Sequence, residues 1–146
     1  MESAEILLAD DDPAVLDVGT AFLRRANYEV APAASGDIAL HLLEKGASFR
    51  LLVTDVVLPG RLDGCALARR AKEIRSSIQI IYVTGFPLVA NIRSRGAPWG
   101  KTLLKPLEPD EFIKAVGSVL LPYRRSTMKS PSSEAEITAP DERREP

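Results

Sequence analysis

Hydrophobic residues in this chain fall into short solid runs separated by stretches with helical periodicity. Leu51-Leu52-Val53-Thr54 stops at Asp55 and meets a Pro59-Gly60 turn soon afterwards. A continuous apolar run bounded by turn signals predicts a strand covered on both faces, as in a parallel sheet. Ile6-Leu7-Leu8-Ala9 is a similar run and ends in Asp10-Asp11-Asp12-Pro13, where Asp12 and Pro13 make a good N-cap and first helical residue. The helix that follows carries Val15, Val18, Phe22 and Ala26 at helical spacing and stops near Asn27. Glu29 to Ala33 predicts a second strand, at a sheet edge because Pro32 has no N–H to donate. Ser35 caps a second helix with Ala39, Leu42 and Leu43 inward, closed by Gly46.

After the strand ending at Asp55, a third helix is predicted from about Asp63 to Ile74, with Leu67, Ala71 and Ile74 on one face. Ile78 to Thr84 is a fourth strand, closed by Gly85. Between Phe86 and Gly100 the pattern supports only a short helix over Leu88 to Arg95, since Gly96, Pro98 and Gly100 break anything longer. Lys101 to Leu104 is a fifth strand, followed by Lys105-Pro106. The last helix, about Pro109 to Leu121, places Phe112, Ile113, Val116, Val119 and Leu120 on one stripe.

Strands alternating with helices predict an α/β fold, a doubly wound five-stranded parallel sheet with helices on both faces. From Arg124 to Pro146 the chain holds 3 prolines, 4 serines and 10 balanced charges, with Ile137 its one large aliphatic residue. Such a stretch cannot bury a core, so residues 1–123 are expected to form the folded domain and 124–146 a disordered polar tail. No DNA-binding domain is expected to follow, because those last residues cannot fold one. Lysine plus arginine total 19 against 20 acids, a net charge of −1, which gives no electrostatic reason to expect nucleic acid or membrane as a bulk partner. A single cysteine, Cys65, rules out an internal disulfide and points to a reducing compartment. No apolar run approaches the roughly 18 residues of a membrane span and no signal peptide opens the chain, so a cytoplasmic location is expected.

The polar residues that break the pattern all sit at the carboxyl ends of strands. Asp10 and Asp11 end the first, Asp55 the third, Thr84 the fourth and Lys105 the fifth. In an open parallel sheet these ends form one rim, where ligands bind. The set, in this order and with Lys105 followed by Pro106, resembles the receiver domain of two-component response regulators over about residues 5–122. The resemblance implies a flavodoxin-like sheet of order 2-1-3-4-5, in which the first and third strands are neighbours. Asp10, Asp11 and Asp55 then converge; two carboxylates about 4 Å apart repel by about 4 kcal/mol at an effective dielectric of 20, and a hard dication relieves this. By the resemblance, Mg²⁺ is held by Asp11 and Asp55, by Asp10 partly through water, and by the backbone carbonyl of Val57.

Asp55 is then the acceptor of a phosphoryl group from a sensor histidine kinase or a histidine phosphotransfer protein. Lys105 supplies a compact positive charge, and Thr84 hydrogen-bonds a phosphoryl oxygen. A receiver of this kind is not an enzyme in the ordinary sense: it carries out only its own Mg²⁺-dependent phosphorylation and dephosphorylation, and signals by phosphorylation-dependent binding to a downstream protein. Two other readings compete. An aspartate-nucleophile phosphatase would carry an Asp-x-Asp nucleophile motif after the first strand and a cap insertion; here three consecutive acids stand there and no insertion follows. A pseudo-receiver docking module would not need Asp55, Thr84 and Lys105 together. The chain departs from many receivers in having Thr102 where an aromatic switch residue often stands, Gly85 after the threonine and Leu107 after Lys105-Pro106. These features are similar to receivers that stand alone or end hybrid sensor kinases. Outside this set, His41 reads as a surface residue, Cys65 as a small helix residue, and Trp99 as either a binding anchor or a lid over the fifth strand.

Overall fold

The computed structural model describes residues 5–46, 48–85 and 99–128, with side chains as far as Leu120. Its strands are β1 (Ile6–Ala9), β2 (Val30–Ala33), β3 (Leu51–Asp55), β4 (Gln79–Thr84) and β5 (Lys101–Leu104). Its helices are α1 (Pro13–Arg25), α2 (Gly36–Glu44), α3 (Gly64–Ile74) and α4 (Pro109–Met128). All strand pairs are parallel, in the order β2-β1-β3-β4-β5. The proline-bearing β2 is at one edge, as expected, with Pro32 paired to Leu8.

Apolar runs without alternation are explained by burial on both sides of the sheet. Leu7, Ala9, Leu52, Ile80 and Tyr82 join Ala39 and Leu43 of α2 and Leu67, Ala68 and Ala71 of α3 in one buried cluster. The residues of opposite parity, Ile6, Leu8, Leu51, Val53, Ile81 and Val83, are buried as well. On that other side α1 approaches so closely that a Cβ on Gly19 would stand 3.0 Å from a methyl of Leu8. Each fully buried aliphatic side chain of this kind contributes about 1.5–3 kcal/mol relative to exposure.

Local chemistry fixes where the helices begin. Asp12 accepts a hydrogen bond from the Ala14 N–H, Ser35 from Ile38 N–H and Asp63 from Ala66 N–H, so each is an N-cap. Asn27, just beyond α1, takes a left-handed φ of 72°, a conformation asparagine tolerates better than most residues. Two expected core positions are instead exposed. Val18 is 44% exposed because α1 turns Gly19, Thr20 and Leu23 inward, one residue round from the predicted stripe. Ile74 is 40% exposed because it is the last residue of α3.

The final helix differs more. It continues to Met128, past the predicted end at Leu121, so Arg124 to Met128 are helical rather than part of a disordered tail. Arginines 124 and 125 are good helix formers once a helix is running, and neither glycine nor proline interrupts residues 124–128. The chain divides into two compact units, Met1–Val116 and Gly117–Pro146. The predicted helix over Leu88 to Arg95 and residues 129–146 lie outside the described residues. Among the described residues, no helix is long and apolar enough to cross a membrane.

Candidate functional site

Strand register brings the predicted residues together. Ala9 pairs with Thr54, so the next residues, Asp10 and Asp55, stand side by side where β1 and β3 end. Asp55 pairs with Val83, placing Thr84 one step beyond it, and Thr84 pairs with Leu104, immediately before Lys105. The Lys105 N–H donates to the Thr84 carbonyl at 2.8 Å, carrying the backbone alignment past the end of β5. The Lys105–Pro106 peptide bond is cis.

Lys105 Nζ lies 2.9 Å from Asp10 Oδ2 and 2.9 Å from Asp55 Oδ2. The other oxygen of each carboxylate is held by its own loop. Asp12 N–H donates to Asp10 Oδ1 at 2.9 Å, and Val57 N–H donates to Asp55 Oδ1 at 3.1 Å. Both carboxylates are thus fixed at both ends, and both are buried. Asp11 is exposed, yet its carboxylate, with those of Asp10 and Asp55, falls in a group whose donor atoms all lie within 4.8 Å of one another. Thr84 is fully buried at the same rim. Val57 is placed beside Asp55 by the N–H contact, with its side chain exposed.

The charge balance of this cluster is uneven. One ammonium is shared by two buried carboxylates, with a third nearby. Burial pushes the Asp10 carboxyl above its ordinary value, and the Asp12 N–H and Lys105 offset only part of that. Burial alone would depress the Lys105 ammonium, but its hydrogen bonds to Asp55 and Asp10 overcome this and raise its pKa. The two shifts have different causes: two anionic partners hold the proton on Lys105, while burial dominates at Asp10 and one shared ammonium does not offset it. Three acids against one lysine leave a net charge of about −2, which a dication would neutralise. The donors are all hard carboxylate oxygens, the set that suits Mg²⁺. On donor chemistry and charge, Asp10, Asp11 and Asp55 fit such an ion.

Other candidates separate cleanly. Asp12, which an Asp-x-Asp nucleophile motif would need inside the site, is exposed and caps α1 through its side chain. Cys65 is buried in the core cluster, and His41 is exposed on α2. Trp99 packs partly buried against the core cluster that includes α3, with Lys72 Nζ 5.9 Å from its ring centroid. It is an internal anchor at the entrance to β5. Thr102 is exposed and pairs with Tyr82. Sequence reasoning read Asp12 only as a cap and missed that its N–H orients Asp10. The Asx-type spacing, an acid two residues before a free N–H, was the available signal.

Comparison with known proteins agrees with this geometry. The response regulator receiver domain family matches residues 6–117. The response regulator receiver protein CpdR of Brucella abortus is 36% identical over 117 residues, covering 80% of this chain and 96% of that protein. The sensor kinase CckA of the same organism is 38% identical over 85 residues, 58% of this chain but 9% of the kinase. Among solved structures, a CheY-like receiver domain protein of Methanospirillum hungatei superposes with a TM-score of 0.75 at 28% identity, covering 86% of this chain and 99% of that one. The family match spans most of the chain and a relative above 30% identity is covered almost end to end: this chain belongs to the response regulator receiver domain family of two-component systems.

Proposed function

We propose that the protein accepts a phosphoryl group on Asp55 from the phosphohistidine of a sensor histidine kinase or a histidine phosphotransfer protein. The observation that carries this reading is the Lys105 ammonium held equally by the Asp10 and Asp55 carboxylates, with Asp11 alongside. An Asp55 oxygen forms a bond to phosphorus as the N–P bond of the donor breaks, and the electron pair returns to the imidazole. Phosphoryl transfer asks for positioning and charge neutralisation more than covalent help. Mg²⁺, when bound by Asp10, Asp11, Asp55 and the Val57 carbonyl, supplies charge neutralisation for the transferring group. Lys105 is within reach to follow the new negative charge from the carboxylate to a phosphoryl oxygen, and Thr84 stands at the adjacent strand end to donate its hydroxyl.

The phosphorylated form then signals by binding a downstream protein, and the protein acts in the cytoplasm without nucleic acid or membrane as a direct partner. Incubation with acetyl phosphate and Mg²⁺, followed by intact-mass measurement, tests the assignment. Wild type is expected to gain one phosphoryl group and Asp55→Asn none. Equal labelling of both proteins overturns the choice of Asp55.

A further inference from the structure

The loop between Asp55 and α3 is held at both ends by glycines, and the two contacts differ in what they touch. A Cβ built on Gly64 would overlap the carbonyl oxygen of Asp55 and come within 2.9 Å of both the Asp55 carbonyl carbon and the Val56 Cα. A Cβ on Gly36, the first residue of α2, would overlap the carbonyl oxygen of Leu62 in the same loop. Neither glycine has a left-handed φ. Close backbone approach, rather than conformational freedom, is what requires the missing side chain at both positions.

Gly64 is buried and is tied down on every side. Its N–H donates to the Val56 carbonyl at 3.0 Å, and the preceding Asp63 caps α3 through the Ala66 N–H at 2.8 Å. The Val56 N–H in turn donates to the Val83 carbonyl at 3.0 Å. The backbone of Asp55 therefore sits between β4 and the first turn of α3, with no side-chain layer between helix and acceptor residue. Its carboxylate is aimed by the Val57 N–H on Oδ1 and by Lys105 on Oδ2. Both aiming contacts require the Asp55–Val57 backbone to stay where α3 presses it.

We propose that Gly64 is a positioning residue for Asp55: by letting the first turn of α3 rest directly on the Asp55 carbonyl, it fixes the carboxylate for metal binding and phosphoryl acceptance. The inference rests on the proposed role of Asp55. Gly36 is the internal comparison, since a methyl there strains the same loop without touching Asp55. A misplacement of about 1 Å at a reacting group can cost roughly 10²-fold in rate, so a partial displacement of Asp55 is expected to be measurable.

The test compares wild type, Gly64→Ala, Gly36→Ala and Asp63→Ala. The last frees the first turn of α3 instead of overfilling it, and remains informative should Gly64→Ala fail to fold. In metal-free protein, the amide resonance of Val57 reports its hydrogen bond to Asp55. It is expected to shift and exchange faster in Gly64→Ala and Asp63→Ala, and to remain in place in Gly36→Ala. Mg²⁺ titration and acetyl phosphate labelling, each normalised to the folded fraction, are expected to weaken about tenfold in Gly64→Ala, less in Asp63→Ala, and not in Gly36→Ala. Unchanged Val57 signals, Mg²⁺ affinity and rates in both α3 variants would overturn the proposal and leave Gly64 a purely structural residue. So would equal losses in all three. Absence of labelling in wild type would instead count against the role of Asp55 itself.

Discussion

Replacing Lys105 with Met isolates the charge imbalance of the site. The substitution keeps much of the apolar stem and removes the one cation shared by Asp10 and Asp55. The side chains of those acids are 3% and 10% exposed, so little water replaces the lost ammonium. Two carboxylates about 5 Å apart repel by about 3 kcal/mol at an effective dielectric of 20. Removing one partner of a buried pair typically costs about 3–5 kcal/mol, and the partial exposure of Lys105 argues for the lower end. We therefore expect urea denaturation followed by circular dichroism, at pH 8 in EDTA, to show a loss of about 3 kcal/mol in Lys105→Met.

The loss has a definite pH dependence. Asp10 already has a raised pKa in the folded protein, and without Lys105 it has less to hold its charge. A raised folded-state pKa means the native state binds the proton more tightly. Its stability contribution is fully present below the unfolded value near 3.8 and is lost as pH rises through the folded value. The penalty in Lys105→Met should thus shrink as pH is lowered from 8 toward the unfolded carboxylate value near 3.8. In wild type, the raised Lys105 pKa keeps the ammonium's contribution intact up to 10.5 while its acid partners are ionised, and it is lost as pH rises through the higher folded value. Mg²⁺ should rescue the variant. An ammonium and a dication about 5 Å apart repel by about 1.7 kcal/mol even at the dielectric of water, so the variant should bind Mg²⁺ roughly tenfold more tightly. A variant that matches wild type in EDTA at pH 8, with an identical Mg²⁺ response, would refute the shared-cation reasoning.

Two further outcomes follow from separate contacts. Thermal melts of wild type should rise with Mg²⁺, by about 2.7 kcal/mol of stability at 100-fold excess over the dissociation constant, and the rise should vanish in Asp11→Ala; a Mg²⁺ response that survives Asp11→Ala would remove Asp11 from the site. Trp99→Ala should cost about 2–3 kcal/mol in denaturant titration because the ring packs on the core, whereas Lys72→Ala should cost less than about 1 kcal/mol because its contact is a half-exposed cation–π pair; equal losses would show that the lysine, and not ring burial, holds the β5 entrance.

The sheet and its rim were legible because their determinants are local. Solid apolar runs at Ile6–Ala9 and Leu51–Asp55 mark strands covered on both faces, and the caps at Asp12, Ser35 and Asp63 fix helix starts within a residue. Once the strands are parallel, residues at their carboxyl ends share one edge, so Asp10, Asp55, Thr84 and Lys105 could be gathered before any distance was known. The α1 stripe was misplaced by one residue because Val18 and Gly19 compete for the same face. Periodicity favours the valine, while the close approach to Leu8 favours the glycine. Hydropathy carries no record of how near two backbones come. The end of α4 was hidden for another reason: the apolar stripe stops near Leu121, while the helix runs on through polar residues to Met128.

Backbone proximity also separates the two levels at which this site is specified. Which groups meet is set by side-chain identity at four strand ends, and that much is written in residue types. How the Asp55 carboxylate is aimed depends on main-chain groups: the N–H of Val57, the N–H of Asp12 for its neighbour Asp10, and the bare Cα of Gly64 against the Asp55 carbonyl. A main-chain donor is the same atom in every residue except proline, so its role leaves no trace in composition. Only glycine, by what it lacks, marks such a contact in the sequence. In the segment from Asp55 to Gly64 the chain has two glycines. Gly60 has a φ of 91° with open space around it, the signature of a turn, while Gly64 has ordinary backbone and a carbonyl where a side chain would be. The first glycine shapes the loop; the second lets the loop, and Asp55 at its start, rest on a helix.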